Sequence, residues 1–235
     1  MNSIIDRYFI ELSSCLRNKR PRDLFYPFII LMILNIGLAF MIKFDFFFSK
    51  ENQFFNALQA VGWSIFITPI AYTSMIFNWQ KSYISALIKA PSGMKITLYS
   101  LITFSYIPVF LVFMVLFPVY YFTYPEIFRW LVSLFLYTIG VFIPMIFLYS
   151  LTRKSVMVDL NKTRFLNFQG IQIKIIIVVI ALILTYVLFV VFSEFILKKD
   201  LLIPNVLSIL GIISTFVFHN FFMEKFRENI YSIIN

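Results

Sequence analysis

The side chains that could do catalytic chemistry are few, and they do not stand at the spacings that known sites use. The six glycines include none that begins a Gly-x4-Gly-Lys-[Ser/Thr] loop, whose backbone amides bind phosphates. The sequence contains no His-Glu-x-x-His pair and no Gly-x-Ser-x-Gly turn, the spacings of zinc peptidases and serine hydrolases. Cys15 and His219 are single residues of their type. We therefore expect no enzyme activity, no metal and no cofactor in this chain, and we assign no role to His219 or Glu194.

The stretch "NWQKSYISALIKAPSGMK", residues 78–95, has instead the chemistry of a recognition surface. Its apolar residues at helical spacing are Tyr83, Ile84, Leu87 and Ile88, and its lysines include Lys81 and Lys89. This pattern predicts an amphipathic helix of about ten residues. Such a helix either rests on a lipid surface or docks against another protein, and the residues leave both alternatives open.

The composition predicts that this loop connects membrane spans. The 235 residues are 61% hydrophobic and 13% charged, whereas a soluble domain is about 45–50% apolar and about 25% charged. Crossing a bilayer takes roughly 20 apolar residues, and such runs occur at about 24–43, 54–77, 96–123, 127–150, 174–197 and 201–223. Each run should be helical, because lipid offers the backbone no hydrogen-bond partners. We predict an all-α integral membrane protein with six transmembrane helices in one domain, residues 1–235.

Lysine and arginine are divided unequally between the two sides of the predicted bundle. One side carries 15 of these cations and the other 5. Because cations in short loops mark the cytoplasmic side, both termini and the loops 78–95 and 151–173 are predicted to be cytoplasmic. Acidic residues leave the whole formal charge of +9 on that side, where it can pair with anionic lipid headgroups.

Two further features concern the spans themselves. Residues 1–22 place apolar side chains on one helical face, which predicts a helix lying in the membrane interface before the first span. Prolines are expected to break or kink several spans, and they stand at 69, 108, 118, 144 and 204. Breaks of this kind need burial in protein or a wet cavity, so they are compatible with a transport path.

Three segments resemble a family of bacterial integral membrane proteins identified as ABC exporter permeases. They are "LRNKRPRDL" before the first span, "FNWQKSYISALI" after the second, and "LYTIGVFIPMIFLYSLTRKSVMVDLNKTRFLNFQG" across the fourth span and the loop that follows. The chain resembles the C-terminal half of these longer permeases. It departs from their pattern at Gln80, where the family usually has an acidic residue.

The resemblance implies the fold of a type-2 ABC transporter permease, in which the helix of loop 78–95 is a coupling helix that docks on an ATPase subunit. The docking residues would be Trp79, Lys81, Tyr83, Leu87, Ile88 and Lys89. A further cytoplasmic interface would include Arg17, Arg20, Arg22, Arg153, Lys154, Asp159 and Arg164. ATP and Mg would be bound by the partner ATPase. The other implied partners are a second permease copy or a related permease chain and the lipid bilayer, with no nucleic acid.

These features predict a permease subunit of an ATP-driven exporter in the bacterial cytoplasmic (inner) membrane, which moves an amphipathic or hydrophobic cargo such as a peptide or lipid. The alternative is a non-transporting structural or assembly protein that recruits another cytoplasmic partner. A third class, the ion-coupled secondary transporter, would need a mid-membrane carboxylate or broken helices in matching halves, and neither is evident. The sequence does not identify the cargo, the ATPase, or the choice between homodimer and heterodimer.

Overall fold

The structure is a computed structural model that describes residues 9, 13, 29, 30, 32–37, 39–41, 62, 93–123, 125–151, 173–193, 197 and 201–234. Regular structure in these ranges is helical, and none of them contains a strand. The helices are α1 (Met32–Met41), α2 (Gly93–Thr123), α3 (Pro125–Tyr137), a π-helical segment (Thr138–Phe142), α4 (Ile143–Leu151), α5 (Ile173–Val191), α6 (Leu202–Val217) and α7 (His219–Ile234). The predicted all-α fold is confirmed for this part of the chain.

Two helical stretches are long and apolar enough to cross a membrane, judged by length and composition. Ser105–Thr123, within α2, has 19 residues and a mean hydropathy of 1.9. Ile127–Tyr149, which runs through α3, the π segment and α4, has 23 residues and a mean hydropathy of 2.4. The second stretch is 61% buried and the first 24%. The helix that contains the π segment is therefore the central one of the described bundle.

For the other predicted spans, the structure describes shorter helices or no helix at all. The apolar stretches Met32–Met41, Ile177–Val191 and Leu202–Val217 are helical but shorter than a full crossing. The predicted span 54–77 lies outside the described residues except at Gly62. The count of six spans accordingly stays a prediction.

The last predicted span, 201–223, is interrupted in the structure. Helix α6 ends at Val217, Phe218 has φ −89° and ψ 17°, and α7 then continues to Ile234. The sequence gives no proline or glycine at this point, which is why the break was not predicted. The helix over the charged C-terminal residues was not predicted either.

Three of the described prolines at which a break or a kink is expected, Pro108, Pro118 and Pro204, lie in helices that are not broken there. Helix α2 continues through Pro108 and Pro118. Pro204 lies in the first turn of α6, where a missing N–H costs no intrahelical hydrogen bond. That turn is linked to Ser193, two residues beyond the end of α5, because the Ile203 N–H donates to Ser193 Oγ over 3.4 Å. Pro144 has a larger effect, described below.

The bundle places large apolar side chains both inside and outside. On α5, Val179, Leu182, Tyr186 and Val190 are buried, while an equally apolar set on the other face is exposed: Ile177, Ile180, Leu184, Val187 and Leu188. A water-soluble bundle would carry polar residues on that outer face. Apolar residues all round a helix are typical of helices that pack in lipid.

Small polar side chains lie in the interior, where they link helices. Ser133 and Ser193 are fully buried. The Tyr137 hydroxyl donates to the Leu182 carbonyl over 2.9 Å, and the hydroxyls of Tyr186 and Ser133 are 3.3 Å apart. These bonds join α3 to α5. Hydroxyl-bearing side chains at helix contacts are characteristic of membrane bundles.

Candidate functional site

The residues that the sequence assigned to docking lie outside the described part of the chain. This holds for the proposed coupling-helix residues Trp79, Lys81, Tyr83, Leu87, Ile88 and Lys89, and for the proposed interface residues Arg17, Arg20, Arg22, Arg153, Lys154, Asp159 and Arg164. Both assignments stay predictions. The described residues bring together a different candidate site, centred on the interrupted central helix.

Pro144 disturbs the hydrogen bonding of the central helix. It has no N–H, so it cannot donate to the Gly140 carbonyl in an α-helical register or to the Ile139 carbonyl in a π-helical one. Immediately before it, the Ile143 N–H donates to the Thr138 carbonyl, five residues back. The helix is therefore widened into a π turn over Thr138–Phe142, a feature that often marks functional positions in helices.

A side chain from α2 satisfies one of the affected carbonyls. The Tyr106 hydroxyl donates to the Ile139 carbonyl oxygen over 3.2 Å, from a ring that is half-buried. Neighbouring helices and hydroxyl side chains commonly re-pair backbone groups that a proline has freed in an apolar environment. This bond ties α2 to the π segment at the point where the helix is interrupted.

Helix α6 crosses the π segment at very close range. A methyl group built on Gly211 would overlap the Gly140 carbonyl oxygen, and one built on Gly140 would overlap the Ser208 carbonyl. Only glycine permits this approach at either position, because every other residue carries a Cβ atom. Small residues serve the same purpose at helix contacts in membranes.

A cavity of about 370 Å³ opens beside this crossing. It is lined on one side by the π segment and α4, and on the other by α6, Phe218 and α7. The lining residues are Gly140, Val141, Pro144, Met145, Leu148, Gly211, Ser214, Thr215, Phe218, Phe221 and Phe222. Met145 and Phe218 are about half exposed, so the cavity communicates with the outside of the described bundle.

The cavity has an apolar character despite its two hydroxyl residues. Ser214 Oγ donates to the Leu210 carbonyl over 2.7 Å, and Thr215 Oγ1 donates to the Gly211 carbonyl over 2.9 Å. Both hydroxyl protons are thus used within α6 itself. None of the lining residues has a charged side chain, so the lining suits an apolar group better than a charged one.

The charged end of the described chain begins where the cavity ends. In α7, one turn beyond Phe221 and Phe222, Lys225 donates to Glu228 over 2.6 Å, and both side chains are partly or largely exposed. That hydrogen bond, with the negative charge of Glu228, raises the pKa of Lys225 above its ordinary value. Helix α7 contacts α2, α4 and α6. Among the residues described, no group of three His, Cys, Asp or Glu side chains could hold a metal ion.

The sequence predicts one residue of this site, Pro144, but not the site itself. Pro144 was expected to disturb its span, and it does. Gly140 and Gly211 had no local signal in the sequence, because Gly140 meets Ser208, 68 residues away by their numbers, and Gly211 meets Gly140, 71 residues away. His219 is the first residue of α7, and Glu194 lies outside the described residues.

Comparison with known protein families places this chain in one of them. The model of DUF5687, a family of unknown function, matches residues 10–235 of this chain. No curated protein and no solved structure matches it.

Proposed function

The chain belongs to the DUF5687 family, a family of unknown function, and we propose that it is the membrane-spanning permease subunit of an ATP-driven ABC exporter. In this proposal six helices cross the bacterial cytoplasmic membrane with both termini inside. A separate ATPase subunit binds ATP and Mg, and the cargo is amphipathic or hydrophobic. A second copy or a related chain completes the permease.

The observation that carries the proposal is the interrupted central helix with its apolar cavity. Transporters commonly bind cargo at helix interruptions, because irregular backbone is tolerated in a membrane where it lines a cavity. Here the π segment and Pro144 line a cavity of about 370 Å³, within the range of about 300–1,000 Å³ that small-molecule sites occupy. The absence of charge from its lining favours an apolar cargo over an ion.

The distribution of side chains on the helices supports placement in a membrane. The outer face of α5 carries exposed Ile and Leu side chains, whereas hydroxyl groups such as those of Ser133 and Ser193 are buried. Two stretches have the length and hydropathy of a membrane crossing. The energy source is inferred separately, from the amphipathic pattern of residues 78–95.

The competing function is a structural or assembly role, in which the cytoplasmic loops recruit a protein other than an ATPase. The two functions differ in what stays bound to the protein. We would purify the tagged full-length chain from its native membrane in mild detergent and identify the co-eluting proteins by mass spectrometry. A stoichiometric P-loop ATPase is the expected result, and its reproducible absence from a folded sample would favour the structural role.

A pair of variants tests the coupling helix directly. Tyr83→Asp combined with Leu87→Asp places two charges on the predicted apolar face, and Ser82→Asp combined with Ser85→Asp places the same two charges elsewhere on the same helix. Burying an unpaired charge costs several kcal/mol, so the first pair should reduce the co-eluting ATPase at least about tenfold, equivalent to 1.4 kcal/mol. The second pair should retain it. Equal ATPase recovery with both pairs would show that this face is not the contact.

A further inference from the structure

The Ile143 N–H of the central helix has two carbonyls to which it could donate. In the structure it donates to the Thr138 carbonyl, five residues back, which is the π-helical register. In an α-helical register the same N–H would donate to the Ile139 carbonyl, four residues back. The two registers therefore differ in whether Ile143 provides a donor for Ile139.

Pro144 leaves each of these registers with one carbonyl short of a donor. The π-helical register pairs position 144 with the Ile139 carbonyl, and the α-helical register pairs it with the Gly140 carbonyl. Proline has no N–H and can serve neither. Because the helix cannot complete its own hydrogen bonding in either register, a donor from another helix can decide between them.

Tyr106 of α2 supplies that donor in the register that the structure shows. Its hydroxyl donates to the Ile139 carbonyl oxygen over 3.2 Å. An unpaired carbonyl is costly in an apolar environment, so this bond stabilises the π turn. When the hydroxyl withdraws, the Ile143 N–H is the group of the same helix that can replace it. The Tyr106 hydroxyl and the Ile143 N–H are thus alternative donors to one carbonyl.

The second half of α2, beyond Pro108, is fixed to its neighbours. Phe113 stacks on Phe135 of α3, with ring centroids 4.0 Å apart. The buried Tyr120 donates its hydroxyl to the Asn35 carbonyl of α1 over 3.4 Å. These contacts hold the second half of α2 in place while the first half carries Tyr106.

The turn of α2 that contains Tyr106 lacks one backbone hydrogen bond, because Pro108 has no N–H to donate to the Phe104 carbonyl. Prolines are positions at which helices bend. The first half of α2 begins at Gly93, in the predicted coupling loop 78–95, and reaches Tyr106 after thirteen residues, by their numbers, or about 20 Å. A displacement of that loop would tilt this half about the Pro108 turn and move Tyr106 relative to Ile139.

We propose that the Tyr106 hydroxyl is a latch on the register of the central helix. While it donates to the Ile139 carbonyl, the π turn is stable; when α2 moves away, the Ile143 N–H takes its place and the turn becomes α-helical. The position of α2 then sets the shape of the helix at the interruption. The link from loop 78–95 to the latch rests on the proposed function, whereas the exchange of donors does not.

Backbone resonances of the full chain test the exchange of donors. Uniformly ¹³C,¹⁵N-labelled protein in phosphatidylcholine vesicles would be studied by solid-state NMR. Tyr106→Phe removes the donor and keeps the ring. We expect the Thr138 ¹³C′ and Ile143 ¹⁵N resonances both to shift, because the Ile143 N–H leaves Thr138 for Ile139. Tyr121→Phe, on an exposed residue of the same helix, should leave both resonances in place.

Pro144→Ala produces the same exchange from the other side. An N–H at position 144 can donate to the Gly140 carbonyl and complete the α-helical register, which is far commoner than the π-helical one. The Thr138 and Ile143 resonances should therefore shift with Tyr106 intact. Pro118→Ala, at an exposed proline of α2, is the matched control. This pair decides the question should Tyr106→Phe fail to fold.

Three results would overturn the latch. A shift confined to the Ile139 ¹³C′ resonance in Tyr106→Phe would show that Tyr106 makes a static bond. Unchanged Thr138 and Ile143 resonances in Pro144→Ala would show that the helix has no second register. Equal shifts in the control variants would show that the resonances do not report on Tyr106 or Pro144.

A separate measurement tests the link to loop 78–95. The vesicles contain no ATPase, so their results do not depend on whether the exporter proposal holds. In the purified complex, ATP should shift the Thr138 and Ile143 resonances of the wild-type chain. Resonances unchanged by ATP in an intact complex would refute the link to the loop. Absence of a co-eluting ATPase would instead contradict the exporter proposal, and the vesicle results would still decide the latch.

Discussion

Helix α6 crosses the π segment closely at Gly211. We therefore predict that even the smallest substitution there, Gly211→Ala, lowers the free energy of unfolding. An alanine methyl at this position would overlap the Gly140 carbonyl oxygen and lie 3.3 Å from Val141 Cγ2. Backbone cannot move aside as a side chain can, so the two helices must separate. Overpacking of this kind costs about 1–3 kcal/mol, against a gain of about 1 kcal/mol from the better helix propensity of alanine.

Gly37→Ala provides the control that isolates the packing cost. Gly37 is also helical, but a methyl group there would meet nothing within 4 Å, so only the propensity gain should remain. The free energies of unfolding of the two variants should therefore differ by about 1–3 kcal/mol. For a chain of this size that difference corresponds to about 2–12 °C in Tm.

The assay is thermal unfolding in mild detergent, followed by circular dichroism or intrinsic fluorescence, with wild type and both variants at one detergent concentration. We expect Gly211→Ala to unfold below Gly37→Ala, and Gly140→Ala to behave like Gly211→Ala because its methyl would overlap the Ser208 backbone. Equal Tm values for Gly211→Ala and Gly37→Ala would refute the reasoning, since they would show that α6 does not approach the π segment this closely.

Two smaller perturbations test the surroundings of the site. Tyr106→Phe removes the hydroxyl that donates to the Ile139 carbonyl and should lower the free energy of unfolding by about 0.6 kcal/mol, the average for hydrogen bonds between membrane helices, and by at most about 1.7 kcal/mol. Tyr121→Phe, on an exposed residue of the same helix, should leave Tm unchanged. Because the bond to Glu228 raises the pKa of Lys225, the pair is intact below the unfolded pKa of lysine and is lost only as pH rises through the higher folded value. The contribution of this pair to Tm should then be constant between neutral and mildly alkaline pH, and a Lys225→Gln variant should have the same pH profile there as wild type.

Hydropathy predicted the positions of helices better than their interruptions. The runs 96–123 and 127–150 coincide closely with α2 and with the continuous stretch from α3 to α4, because lengths of apolar sequence are a local property. The break at Phe218 had no comparable signal. It stands in an apolar run without proline or glycine, so no residue type marks its position.

Only one part of the candidate site, the proline in the central helix, could be predicted from the sequence. A proline inside an apolar run can be read from the sequence, as Pro144 was, but its consequence cannot. Pro108 and Pro118 stand in a similar context, and α2 continues through both. The groups that contact the backbone before Pro144 are distant in the sequence: Tyr106 for the Ile139 carbonyl, and Gly211 for Gly140.

The loss of one N–H group at Pro144 connects the main features of this site. Pro144 cannot donate to the carbonyls of Ile139 or Gly140, and the helix is π-helical over Thr138–Phe142 just before it. Tyr106 donates to the first of these carbonyls, and Gly211 brings α6 against the second. At Phe218, where α6 ends, hydrogen bonds of helical spacing continue, because the Phe218 N–H donates to the Ser214 carbonyl over 2.8 Å and the Phe222 N–H donates to the Phe218 carbonyl over 3.1 Å. Gly140 and Gly211 both line the cavity beside the crossing, so a residue with a Cβ at either position would change the shape of the cavity as well as the stability of the bundle.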